Sequence, residues 1–228
     1  MPADYKPANL SLPKKKNKKV TTQKSDIIGH RKTPLLFVVS GPSGAGKDSV
    51  LSLLKETAAN MQFITTMTTR KPRPQEIEGV DYRFVSVETF EDMKKRNELL
   101  ECAQVYGNWY GPPKEAIRQA LNEGKDVILR VDVQGVKNIK KIVPEAVFIF
   151  ITTPTLEELE KRLKKRYTET EAELALRLKT ATEEIKQIKM FDYVVFNNGG
   201  SLGTAVDEIK AIIKAEKCRV KPRKIRLL

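Results

Sequence analysis

The stretch VVSGPSGAGKDSV, residues 38–50, decides how this chain is read. Gly41, Gly46 and Lys47 fit the spacing G-x-x-x-x-G-K of a phosphate-binding loop. In such a loop, successive backbone N–H groups at a helix N-terminus surround anionic oxygens, and the lysine adds a mobile positive charge. Gly41, Gly44 and Gly46 let the backbone bend and approach closely. The next position normally holds a Ser or Thr whose hydroxyl serves magnesium. Here it is Asp48.

The flanks supply the context the loop requires. LLFVVS, residues 35–40, is a continuous apolar run of strand length, as in a strand buried on both faces. After the loop, Val50, Leu51, Leu53 and Leu54 recur with helical spacing. DVILRVD (126–132), AVFIFIT (146–152) and DYVVFN (192–197) are further buried-strand candidates. Helical patterns occupy 114–123, 134–141, 156–166 and 202–214. This alternation predicts an α/β fold with a mainly parallel sheet. Two stretches interrupt it. Residues 66–112 are rich in Arg, Tyr and Gly, with short strand-like pieces such as YRFVSV, and look like an insertion. Residues 155–189 are charged and helical without a strand, and Thr168 and Glu171 there fit a capping box.

Composition narrows the class. At 228 residues and 40% hydrophobic content, the chain suits one domain with insertions. No apolar run reaches membrane-spanning length. Two distant cysteines, Cys102 and Cys218, and one histidine, His30, do not suggest a zinc site. The net charge of +13 divides into +7 over residues 1–34 and +6 over residues 214–228, leaving the middle neutral. The basicity is therefore assigned to two tails, which would attract polyanions weakly without specific nucleic-acid recognition. The N-terminal segment is acid-poor, but it is Lys-rich rather than Arg-rich and lacks a clear amphipathic pattern. That argues against an organellar transit peptide and for the cytoplasm.

Several side chains could carry chemistry. Arg70 and Arg73 lie three apart around Pro72, a spacing suited to a phosphate clamp, and Tyr82 could add a hydroxyl. A solvated charged loop would contain the same residues. Glu101 follows Leu99 and Leu100, and an acid in apolar surroundings needs a donor. Trp109 and Tyr110 lie between Gly107 and Gly111, either in a site or in simple packing. Asp132 ends a strand where α/β sheets place ligand-handling residues, a position that also suits a helix N-cap. Arg162, Arg166 and Arg177 lie in the charged helical stretch, which reads as a lid or as a solvated surface.

In order and spacing, SGPSGAGK, TTRKPRPQE..GVDYRFVS, E...YGNWYG, VDVQG and KRLKKRYTETE resemble guanylate kinase over roughly residues 35–215. The resemblance implies a P-loop kinase core with a mainly parallel sheet, a small GMP-binding insertion and a helical lid. The domain would span residues 34–216, with core segments 34–65, 113–154 and 190–216, the insertion at 66–112 and the lid at 155–189. A basic, disordered arm (1–33) and a basic C-terminal tail (217–228) would flank it. The implied reaction is ATP-dependent phosphorylation of GMP, and also of dGMP, with Mg2+. Gly41, Pro42, Ser43, Gly44, Ala45, Gly46, Lys47, Asp48, Ser49 and Asn197 would hold ATP. Arg70, Arg73, Tyr82 and Tyr110 would hold the GMP phosphate, Glu101 would read guanine, and Thr66 and Asp132 would complete that set. Lys47, Arg162, Arg166 and Arg177 would neutralise charge during transfer, with Asp48 and Asp132 as metal ligands.

Four positions depart from the family pattern: Asp48 in the loop, Arg130 where an acid is common, Pro112 where a hydroxyl follows Tyr-Gly, and Tyr167 where a small residue is common. Two other functions share the scaffold. A ribose 1,5-bisphosphate phosphokinase has similar GKDS and NNGGSL segments but needs neither a guanine reader nor the arginine pair. A non-catalytic binding module typically has a degraded phosphate loop, whereas Gly41, Gly46 and Lys47 are intact here.

Overall fold

The computed structural model describes residues 33–74, 76–166 and 171–227, with the side chains of residue 166 and residues 171–173 outside that description. The basic N-terminal arm, Tyr167 and the Thr168–Glu171 capping box lie outside it too. The first part of the chain runs β1 (Leu36–Ser40), α1 (Lys47–Thr57), β2 (Met61–Ile64), β3 (Met67–Thr68), β4 (Arg83–Phe84) and α2 (Val87–Lys95). β5 (Ala103–Val105), β6 (Asn108–Gly111), α3 (Lys114–Asn122), β7 (Asp126–Arg130), α4 (Val133–Ile142) and β8 (Val147–Thr152) follow. The chain continues through α5 (Leu156–Arg166), α6 (Glu171–Ile185), β9 (Tyr193–Phe196) and α7 (Leu202–Lys217).

Five strands form one sheet in the order β2-β7-β1-β8-β9, with every neighbouring pair parallel. β1 is central and buried throughout, and it sends alternate side chains into two cores. Phe37 and Val39 pack with Val50 and Leu54 of α1 and Ala205 and Ile209 of α7. Leu36 and Val38 pack with Ile117 of α3 and Val136 and Ile139 of α4. The result is an α/β sandwich in which the carboxyl ends of β1, β7, β8 and β9 open on one side, where such folds bind ligands.

The expected core strands and helices are all present, with small shifts at their ends. β2 gave no clear signal, because it is a four-residue edge strand whose Gln62 is exposed. Within YRFVSV, only Arg83–Phe84 is a strand. Ser86 then caps α2 by accepting the Thr89 amide at 3.1 Å. A second sheet, β4-β3-β6-β5, spans this region. It packs on Phe90 of α2, against which Trp109 stacks with ring centroids 6.0 Å apart. α5 and α6 have their own small core of Leu159, Leu163 and Ala181.

The C-terminal stretch does not trail free. Glu216 is buried and accepts from Tyr193 Oη at 2.7 Å and from Arg223 Nε at 3.0 Å. Arg223 also donates to the Ala146 carbonyl at 3.0 Å, and Ile225 and Leu227 pack on the α3/α4 core. Part of the C-terminal positive charge therefore belongs to the folded body, because a buried carboxylate needs it. Arg223→Ala should lower unfolding free energy in urea by roughly 3 kcal/mol. Arg226→Ala, at an exposed position of the same stretch, should stay within about 0.5 kcal/mol of the parent.

Candidate active site

The glycine loop joins the end of central β1 to α1, and its backbone is braced from behind. Gly46 is the N-cap of α1 in the left-handed region, with φ 80°. A Cβ there would lie 2.3 Å from Asn197 Nδ2, so both the conformation and the space require glycine. Asn197, just after β9, donates to the Ala45 carbonyl at 2.9 Å. Arg162 of α5 donates to the Asn197 carbonyl at 2.7 Å and pairs with Glu158. Gly44, Gly46, Asp48, Ser49, Arg162 and Asn197 line an open groove of about 730 Å3 on this side. Lys47 Nζ donates to the carbonyls of Gly41 at 2.6 Å and Pro42 at 2.9 Å. Burial lowers its pKa, with Asp48 and Glu184 acting in the opposite direction.

On the other side of the loop is a cavity of about 330 Å3. Lys47, Ser43, Gly44 and Gly46 form part of its lining, and so do Tyr110 of β6 and Arg70, Arg73 and Tyr82 from the segment between β3 and β4. The two arginines share one acid. Glu76 accepts from Arg70 Nη2 at 2.8 Å and from the Arg73 amide at 2.8 Å. Tyr82 meets Tyr110 edge-on at 5.9 Å, and the Arg70 guanidinium lies 5.3 Å from the Tyr82 ring centroid. Trp109 and Tyr110 are strand neighbours and point to opposite faces. Trp109 serves the packing of the insertion, while Tyr110 lines the cavity.

Glu101 also lines the cavity and is only 5% exposed. Burial raises its pKa to about 8, against a lowering by the Asn138 amide, which donates to Oε2 at 3.2 Å. Helix α4 makes room for it. A Cβ on Gly135 would lie 2.8 Å from Glu101 Oε1, which explains the glycine of VDVQG. Thr66 is buried beside the cavity and donates to the Arg130 carbonyl at 3.2 Å. Asp132 is the N-cap of α4, with Oδ1 accepting the Gly135 amide at 2.7 Å, and it lines the cavity as well. Burial raises its pKa, with backbone donors and then Lys47 opposing.

Of the three arginines expected to act together, Arg162 and Arg177 line different spaces. Arg177 lines the cavity, with its guanidinium 5.5 Å from the Tyr106 ring centroid. Arg162 lies on the groove side, and the Arg166 side chain is outside the described residues. Pro112 is not part of the cavity lining and accepts the Leu100 amide at 2.9 Å. Three site residues had no sequence reading as such. Glu76 carried a usable signal, its spacing of three from Arg73. Glu184 of α6 carried none, since it is one of two adjacent acids on a charged helix; burial raises its pKa, and its Oε2 is buried without a hydrogen-bond partner. Arg130, noted in the sequence only as a departure, donates to Asp48 Oδ1 and to the Asp81 carbonyl, the latter at 2.8 Å.

The guanylate kinase family model matches residues 33–216. A guanylate kinase of Clostridioides difficile is 49% identical over 189 residues, covering 83% of this chain and 91% of its own length. A rice protein named guanylate kinase 2, chloroplastic/mitochondrial, is 45% identical over 208 residues, covering 91% of this chain and 73% of its own. The crystal structure of guanylate kinase from Anaplasma phagocytophilum superposes with a TM-score of 0.69 at 31% identity, covering 83% of this chain and 89% of that one. The match runs through the loop, the second sheet and helices α5 and α6, and the chain belongs to the guanylate kinase family.

Proposed function

We propose that this chain transfers the γ-phosphoryl group of ATP to GMP, giving ADP and GDP. The observation that carries the reading is a single cavity in which a phosphate-loop lysine faces a two-arginine, two-tyrosine clamp beside a buried carboxylate. In this reading Arg70, Arg73, Tyr82 and Tyr110 grip the GMP phosphate, with Glu76 holding the arginines in place. Glu101 accepts from the guanine N1–H and exocyclic amine, with Thr66 and Asp132 nearby. Adenine would turn its N1 lone pair toward the same carboxylate, so the site discriminates by an unpaired contact. The loop from Gly41 to Ser49, with Arg162 and Asn197, holds ATP.

A GMP phosphate oxygen bonds to the γ-phosphorus as the bond to the β–γ bridging oxygen breaks, and ADP departs with that electron pair. The protein forms no covalent bond. Lys47 and Arg177 offset charge on the phosphate oxygens, and positioning supplies most of the acceleration. The acid-lined cavity suits a hard cation, because Glu184 Oε2 is buried without a partner and Asp132 lines the same space. Among the described residues, no three such side chains are grouped closely enough to hold a metal by themselves. Asp132 and Glu184 would therefore share magnesium with the substrate phosphates, and it would shield their charge.

Among the described residues no helix is long and apolar enough to cross a membrane. Cys102 and Cys218 are free thiols, in keeping with a reducing cytoplasm, where we place the activity.

ADP release measured with GMP, dGMP, AMP, UMP and ribose 1,5-bisphosphate as acceptors should rank GMP first and dGMP second. Turnover of the sugar alone, or AMP exceeding GMP, would refute the reading. Glu101 gives a second test. Its folded pKa of about 8 lies above the ordinary 4.5, so ionisation opposes folding as pH rises between those values. The cost grows by about 1.4 kcal/mol per pH unit, is absent below pH 4.5 and is complete above about 8. Glu101→Gln should therefore raise the melting temperature at pH 8 and leave it nearly unchanged at pH 4.5. The same variant should raise the KM for GMP by at least about 10-fold through loss of charge-assisted bonds.

A further inference from the structure

Arg130 stands at the end of β7 and reaches three parts of the site at once. Nη1 donates to Asp48 in the first turn of α1. Nη2 donates at 2.8 Å to the carbonyl of Asp81, in the segment leading into β4 of the inserted sheet. The guanidinium carbon lies 4.4 Å from the ring centroid of Tyr82, within cation–π range. The Arg130 side chain is 18% exposed and that of Asp48 is 49% exposed, and both residues line the cavity. One planar group thus joins the phosphate loop to the acceptor clamp. A lysine could not do the same, since it lacks a flat face and a fixed fork of donors.

The same contact bears on Asp48. An unpaired carboxylate next to Lys47 would repel phosphate oxygens. With Arg130 against it, the pair is neutral, and Asp48 does not face the loop's anion as a lone negative charge. The two departures at residues 48 and 130 are then one arrangement: the acid holds the guanidinium, and the guanidinium holds the acid and the tyrosine.

We infer that Arg130 is a positioning residue for the acceptor clamp, tying Tyr82 and the Asp81 backbone to the phosphate loop, and that Asp48 is its counter-ion rather than a ligand of magnesium. This rests on the GMP kinase reading, and the test separates the two. Calorimetry of GMP binding without ATP or magnesium is run on the full-length parent and on Arg130→Ala, Arg130→Lys, Asp48→Ser and the Arg130→Ala/Asp48→Ser double variant. Steady-state kinetics and thermal melts accompany it. A parent that neither binds nor phosphorylates GMP overturns the function itself. A parent that binds GMP while Arg130→Ala binds within 2-fold of it overturns only the role of Arg130.

The expected result is GMP binding weakened about 10- to 100-fold in Arg130→Ala, the range of lost hydrogen bonds to a charged group. Arg130→Lys, which keeps the charge, should still bind GMP at least about 5-fold more weakly, and it decides the matter if Arg130→Ala does not fold. Parent-like binding by the lysine variant would overturn the bridging role. The KM for ATP should rise in Arg130→Ala and return to within about 3-fold of the parent in the double variant, while the GMP defect persists. No return of the ATP KM would overturn the counter-ion role. Magnesium activation in Asp48→Ser should keep its midpoint within about 2-fold, and a tenfold rise would put Asp48 at the metal and overturn the inference.

Discussion

The end of β1 is the constraint on which the rest depends. A strand buried on both faces fixes the direction and depth at which the chain leaves the sheet. The loop that follows must present its N–H groups to an anion, so its carbonyls need partners elsewhere. They have them: Ala45 is held by Asn197, and Gly41 and Pro42 by Lys47. The partners come from the residue after β9 and from the first residue of α1, and Arg162 of α5 braces Asn197 in turn. Displacing β9 or α5 would therefore disturb the backbone of the loop itself.

Burial governs the electrostatics of the adjoining cavity. Glu101, Asp132 and Glu184 are all pushed toward their protonated forms by desolvation, and Lys47 is pushed toward its neutral one. Without ligand, this is a set of charges that water no longer stabilises and that partner one another incompletely, as the orphaned Glu184 Oε2 illustrates. A ligand bringing phosphates, a cation and guanine donors would supply what each group lacks. Such a cavity costs stability and gives selectivity, because a molecule lacking one of these features leaves a buried group unsatisfied.

Much of this was legible in the sequence, for identifiable reasons. The core strands at residues 36–40, 126–130, 147–152 and 193–196 are short apolar runs between helical patterns, and burial in a parallel sheet leaves that trace. Arg70 and Arg73 were legible as a pair because they are close in sequence, and Glu101 as a buried acid because of its apolar neighbours. β2 was not, since an edge strand with an exposed Gln62 has neither a continuous run nor a long alternation. Helix α2 was masked by the aromatic stretch before it, where Ser86 rather than any apolar period marks the change to helix. Glu184 meets the loop from α6, a relation no local pattern encodes.

The Asp48–Arg130 pair shows where single-position reasoning about a motif stops. Its members are 82 residues apart, on α1 and at the end of β7. Taken singly, an aspartate in the phosphate loop and an arginine at a strand end usually given to an acid both look like damage. Taken together, they preserve the charge balance at the junction of donor and acceptor, since neither charge faces the phosphates alone. Parallel pairing of β1 and β7 brings these distant positions together, with Val39 in register with Arg130 itself. The loop leaving β1 and the last residue of β7 must then share one side of the sheet. A substitution at one of them changes the field felt by the other, so the loop motif and the strand-end motif form a single electrostatic unit.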